Sequence, residues 1–251
     1  MTTYSVVCYK KDGSTLNLQN ILHRRPYIFY STPAIQQHKI YLMTTTLYYV
    51  HDPMCSWCWA FRPVYDAIIN DLPGDISLSR LLGGLAPDTD EPMSDEMQTY
   101  VKNHWRTIQN KVPGIEFNYD FWKKCNPRRT TYPACRAVIA ARNQGNVYDD
   151  QMTLAIQHAY YLQARNPSEY DTLIALANEI ELDTTQFAGD LVSTTTDDIL
   201  KQEIEFTCQL EVRGLPTMMI GFNGQYYHIP IDYLNAENML KIIQEKILTS
   251  K

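Results

Sequence analysis

No stretch of the 251 residues is as long and apolar as the ~20-residue run that a membrane helix needs. No Lys/Arg-rich run stands out either, and the formal net charge is −6, so the electrostatic footprint of a nucleic-acid binder is absent. Residues 1–42 hold Lys10, Lys11, Arg24 and Arg25, but neither pair leads into the apolar core that marks a secretory signal. Cysteine is sparse: six residues, too dispersed for a disulfide framework. Only two of the six stand close together. No second pair and no H-x-x-x-H accompanies them, which leaves a tetrahedral zinc site short of ligands. Internal repeats and low-complexity segments are missing too. What remains is ordinary globular composition, 45% apolar and 20% charged. The thiols are expected in a reducing, cytoplasmic setting, with no nucleic-acid or membrane partner and no metal.

What is present is concentrated in Cys55-Ser56-Trp57-Cys58. Leu47-Tyr48-Tyr49-Val50 before it reads as a buried strand. Phe61, Val64, Tyr65, Ile68 and Ile69 after it recur at helical spacing. A C-x-x-C at such a junction puts the first sulfur at a helix N-terminus, where unpaired N–H groups and the dipole favour a thiolate. The second sulfur falls one turn on, on the same face. Cys55 is thereby placed to attack a disulfide and Cys58 to release the product.

Residues 1–42 carry weak periodicity and are expected to be a peripheral N-terminal extension, with the compact protein starting at Met43. Ile76 to Leu82 alternates as a second strand that Gly83-Gly84 ends. From Ser94 to about Leu210 the pattern is helical. Ser94 and Thr196 are read as helix caps, and Leu200, Ile204, Thr207 and Cys208 as one inward stripe. Strand character returns at Thr217 to Phe222, followed by the hairpin signal Asn223-Gly224, Gln225 to Ile231, and a last helix from about Asn235. The order describes one α/β sheet domain (residues 43–93 and 212–251) interrupted by a helical insertion (94–211).

Arg213-Gly214-Leu215-Pro216-Thr217 enters the returning strand. X–Pro is the one bond where a cis peptide is cheap. A cis Leu215–Pro216 bond facing the dithiol would turn the Leu215 backbone toward an extended substrate. With these residues together, the chain resembles the DsbA-like branch of thioredoxin-fold proteins, and within it the bacterial group labelled predicted protein-disulfide isomerases. The resemblance rests on residues 48–59, 81–87, 127–136 and 213–217, and covers Met43 to Lys251. It implies a thioredoxin fold with an all-helical insertion domain over the active site, Cys55 as nucleophile, Cys58 as resolving thiol and Pro216 as the cis proline. Exported oxidases of that branch carry a histidine where this chain has Trp57. An indole offers only bulk and an N–H, so the expected reduction potential lies between the ends of the fold's range, about −270 and −120 mV.

His51, Asp52 and Ser56 flank the sulfurs closely enough to modulate their protonation. Trp57 joins Leu215 and Pro216 as a candidate substrate contact. Cys135 is expected as a buried core thiol, with a second reading in which its segment lines the groove above Cys55. Arg128 and Arg129 could bind an anion or form a solvated face. The leading function is a thiol–disulfide oxidoreductase, in the reductase or isomerase direction, acting on protein or small-molecule disulfides. No tightly bound cofactor is expected, and glutathione is a possible co-substrate. One alternative is a glutathione-dependent isomerase or transferase of the kappa or chromene-carboxylate type, whose members typically have serine where Cys55 stands. Another is a non-enzymatic adaptor with redox-sensitive cysteines.

Overall fold

The computed structural model describes residues 45–249. The expectations for residues 1–42 lie outside the described residues. Strand β1 (Thr45–His51) buries Leu47, Tyr49, Val50 and His51. Helix α1 (Ser56–Asn70) follows, then β2 (Ile76–Leu82), which lies parallel to β1 with His51 opposite Leu82. The chain returns to the sheet only at β3 (Thr217–Phe222), antiparallel to β1 with Leu47 opposite Ile220. Strand β4 (Gln225–Ile229) closes a hairpin with β3, giving the order β2-β1-β3-β4. Asn223 and Gly224 both take positive φ, 52° and 74°, the backbone a two-residue primed turn demands. The C-terminal helix, numbered α9 (Ala236–Thr249), seats Met239 and Ile243 with Leu47, Phe61, Ile68 and Met218 in one apolar cluster.

Between β2 and β3 lie α2 (Asp95–Lys111), α3 (Phe121–Lys124), α4 (Tyr132–Arg142), α5 (Val147–Tyr161), α6 (Tyr170–Glu179), α7 (Thr184–Leu191) and α8 (Thr194–Gln209). Helix α4 is buried at every position from Pro133 to Ala141. Its small residues Ala134, Ala137, Ala140 and Ala141 let neighbouring helices approach, and Met152, Ile156, Leu176, Phe187 and Leu200 close around it. A second core is aromatic. Trp105, fully buried, stacks on Phe117 with centroids 4.8 Å apart and meets Trp122, Tyr160 and Tyr161 within 6 Å.

Two sequence expectations need correction here. The cap of α8 is Ser193, not Thr196. Ser193 has extended backbone and its hydroxyl accepts from the Thr196 N–H at 3.1 Å, so Thr196 sits inside the first turn, fully buried. Cys208 is half-buried on α8 rather than core. Ser94, by contrast, caps α2 as expected, accepting from Met97 N–H.

The insertion is pinned to the sheet by charge. Arg80 on β2 reaches Asp149 and Asp150 of α5, both at 2.5 Å, and Arg62 of α1 pairs Asp150 at 2.6 Å. Arg142 of α4 bridges Asp149 and Glu203, and Glu203 also accepts from the Leu82 N–H on β2. Gly84 makes the exit from β2 possible. Its φ is +56°, and a Cβ there would run into Ile204 and crowd Tyr132.

Candidate active site

Strand β1 delivers His51 to its end, and Asp52-Pro53-Met54 turns the chain into α1. Cys55 is the N-cap residue (φ −79°, ψ 116°), but its side chain caps nothing, so the sulfur stands at the open helix end. Its N–H donates to the Asp52 carbonyl at 3.0 Å, which tightens the turn. The Leu215–Pro216 bond is cis, and the Cys55 thiol donates to the Leu215 carbonyl, with Sγ 3.7 Å from that oxygen. Cys58 lies one turn along. Both are free thiols and both are fully buried, in a cluster with Val50, Val212, Leu215 and Met219 that Trp57 flanks. The sequence-predicted Cys55, Cys58, Trp57, Leu215 and Pro216 thus meet at one place.

Burial pushes the Cys58 thiol well above the ordinary cysteine range, and the hydrogen bond and charge of Cys55 add to it. The Asp52 carboxylate raises it further by charge, while a backbone hydrogen bond from Asp52 opposes the rise. Asp52 is itself fully buried. One oxygen accepts from Met54 N–H at 2.8 Å; the other accepts from Leu85 N–H (2.8 Å), the Thr131 hydroxyl (2.6 Å) and the Cys135 thiol (3.5 Å). Burial nonetheless lifts its pKa, against all four of those donors. Cys135 therefore faces the carboxylate beside the dithiol, not the groove. Ser56 is buried in the first turn of α1. Neither the Thr131 contact nor the bracing role of Tyr161 is legible in the sequence. The Tyr161 hydroxyl donates to the Met54 carbonyl at 2.7 Å and so braces the residue before the nucleophile.

His51 is completely buried and stacks on Tyr49 (4.9 Å, 4° between planes). Neither ring nitrogen has a hydrogen-bond partner among the described residues. Burial, with Arg80, Arg142 and Arg62 nearby, lowers its pKa well below 6.5. The folded state therefore binds fewer protons than the unfolded one below that value. Stability is full above pH 6.5 and falls as pH drops, with a slope from this one group of up to about 1.4 kcal/mol per pH unit. His51→Phe preserves the stack and should flatten the decline of urea midpoints between pH 7.5 and 5.5. Equal slopes for both proteins would rule this role out.

Arg128 is no free anion site. It is engaged with Asp90, Glu169 and the Ser168 carbonyl. Among the described residues no cluster of His, Cys, Asp and Glu is arranged to hold a metal ion, and no helix is long and apolar enough to cross a membrane. Beside Pro216 a groove of ≈ 1110 Å³ opens between α2, Trp57 and the segment joining β4 to α9.

This combination of sheet order, C-x-x-C helix and facing proline coincides with a sequence match. Residues 48–241 match the family described as Thioredoxin. The chain belongs to that family. A structural neighbour is the cytosolic disulfide reductase DsbM from Pseudomonas aeruginosa, with a TM-score of 0.67, 22% identity, and 81% of this chain and 99% of that one covered. It has also been solved with GSH. The oxidoreductase NmDsbA1 from N. meningitidis aligns with a TM-score of 0.51 and 14% identity over 88% of this chain and 90% of that one. At such identities these likenesses speak for the fold, which is that of the DsbA-like thiol–disulfide oxidoreductases. In sequence, the chain is 26% identical over 221 residues to the ClpXP adapter protein SpxH of Halalkalibacterium halodurans, covering 80% of this chain and 69% of that relative.

Proposed function

We propose that this protein is a thiol–disulfide oxidoreductase working in the reductase or isomerase direction in a reducing, cytoplasmic compartment. The observation that supports it most is the Cys55 sulfur at the open end of α1, 3.7 Å from the Leu215 carbonyl, with the Cys58 thiol one turn behind. The Cys55 thiolate attacks one sulfur of a substrate disulfide. A Cys55–substrate bond forms, the substrate S–S bond breaks, and the departing sulfur leaves as a thiolate that takes up a proton. Cys58, deprotonated, then attacks the Cys55 sulfur, which closes the Cys55–Cys58 disulfide and frees the second substrate thiol. The substrate gains two electrons and the dithiol loses them. Asp52, whose buried carboxyl already acts on Cys58, is the group we assign to receive the Cys58 proton. Because Cys55 lies under Leu215 and Trp57, a substrate reaches it by displacing the Leu215 contact, and the freed Leu215 backbone can pair with an extended chain. No tightly bound cofactor is needed. Glutathione is proposed as the reductant, a reading favoured by the GSH complex of the structurally similar DsbM.

A Cys58→Ser variant tests this directly. Incubated with an oxidised substrate, it should accumulate a covalent complex through Cys55, visible on a non-reducing gel and dispersed by dithiothreitol. If no adduct forms with protein or small disulfides, the reading falls. A second reading is favoured by the name of the sequence relatives. In it the chain is an adapter whose helical insertion holds a protein partner, and the dithiol only tunes that contact. Partner binding that survives Cys55→Ser, in a protein without measurable disulfide exchange, would support it.

A further inference from the structure

We propose that the groove beside Pro216 selects polypeptide disulfides in which an acidic residue stands next to the reacting cysteine within an apolar segment, an inference that rests on the oxidoreductase reading above. The groove is larger than the ~300–1,000 Å³ typical of small-molecule sites, at ≈ 1110 Å³, and its walls come from four separate parts of the chain. That span suits an extended polypeptide better than a compact disulfide. Its surface is mainly apolar. Trp57 and Tyr233 pack with centroids 5.1 Å apart, and Leu215 and Ile231 continue the wall. At the rim, Tyr100 and Leu234 are left 43% and 67% exposed, apolar area that an apolar partner would cover.

The charge in the groove is placed asymmetrically. The Lys111 ammonium lies 5.8 Å above the centre of the Trp57 ring, the residue between the two cysteines. It makes no ion pair among the described residues. Lys111 is the last residue of α2, so the helix end offsets part of its charge. Asp232, the anion that also lines the groove, is held by neighbouring donors. Its Oδ1 accepts from the N–H groups of Leu234 and Asn235, and its Oδ2 from the Asn238 amide, at the positive end of α9. His104 on the α2 wall is held toward the neutral form by burial and by Arg129. Among the described residues that line the groove, Lys111 is therefore the cation available to a chain lying across Trp57, and a carboxylate beside the substrate cysteine would meet it.

Two peptide disulfides of one apolar sequence, differing only in Glu or Lys next to the cysteine, provide the test. Rates of reduction would be compared with that of uncharged 2-hydroxyethyl disulfide, using dithiothreitol as the terminal reductant. The wild-type chain should favour the Glu peptide in kcat/KM by about fivefold, the upper end for an exposed ion pair. Lys111→Glu should reverse that preference and leave the small disulfide unchanged. Equal rates for the two peptides, or a preference that persists in Lys111→Glu, would overturn the selectivity while the activity stands. A wild-type protein that reduces none of the three would instead overturn the oxidoreductase reading, and this inference with it.

Discussion

Cys55→Ser is expected to abolish disulfide reduction, a fall on the order of 10³-fold or more, as happens when an enzyme loses its nucleophile. A serine hydroxyl at the N-terminus of α1 has the position but not the acidity: it remains protonated at neutral pH and does not attack sulfur. The fold should tolerate the change. The Cys55 thiol contributes one long contact to the Leu215 carbonyl, and the shorter serine side chain leaves only a small gap. Activity against 2-hydroxyethyl disulfide, with urea midpoints measured on the same samples, checks both halves of the statement. Reduction that persists in a stably folded Cys55→Ser protein would mean that another thiol does the chemistry.

Arg80→Met should be the most destabilising single change to the charged seam between sheet and insertion, with an expected loss of about 3–5 kcal/mol. Its guanidinium is 9% exposed and meets Asp149, Asp150, the Tyr65 hydroxyl and Thr153, while lying 5.3 Å and 5.8 Å from the ring centres of Tyr65 and Tyr49. Removing it strands the carboxylate of Asp149, only 7% exposed, with Arg142 alone for a partner. Adding Asp149→Leu should therefore restore part of the lost stability, because the penalty lies largely in the abandoned charge. Urea unfolding of the two single variants and the double variant measures the coupling. A single-variant loss below about 1 kcal/mol would show that the seam is effectively solvated.

The parts of this protein that the sequence exposes are those written in short spacings. The C-x-x-C after an apolar strand, the Asn223-Gly224 turn and the proline at the head of β3 each encode their geometry within a few residues, and each lies where that local reading places it. The chemistry around the dithiol is written otherwise. Asp52 meets Thr131 and Cys135 across 79 and 83 residues, and Tyr161 meets Met54 across 107. No periodicity records such pairs. The same holds for Arg80, which alternation places on one strand face with Ile76, Leu78 and Leu82 and which α5 then covers with carboxylates. The misplaced cap at Thr196 has a simpler origin. Ser193 and Thr196 are both competent capping residues, and only the extended backbone of Ser193 decides between them.

The candidate site is assembled from opposite ends of the described chain: Cys55 and Cys58 follow the first strand, and Leu215 and Pro216 precede the third. Most of the helical residues lie between them, packed mainly against one another in two cores that also take in Leu82 of β2 and Trp59 and Ala60 of α1. The C-terminal hairpin and α9 are held by β1 and α1. Circular dichroism and catalytic turnover thus report on different parts of the molecule. A modest detachment of the C-terminal unit would silence the dithiol while leaving the helical spectrum nearly intact, so an inactive preparation with a native-looking spectrum is a state this topology makes accessible.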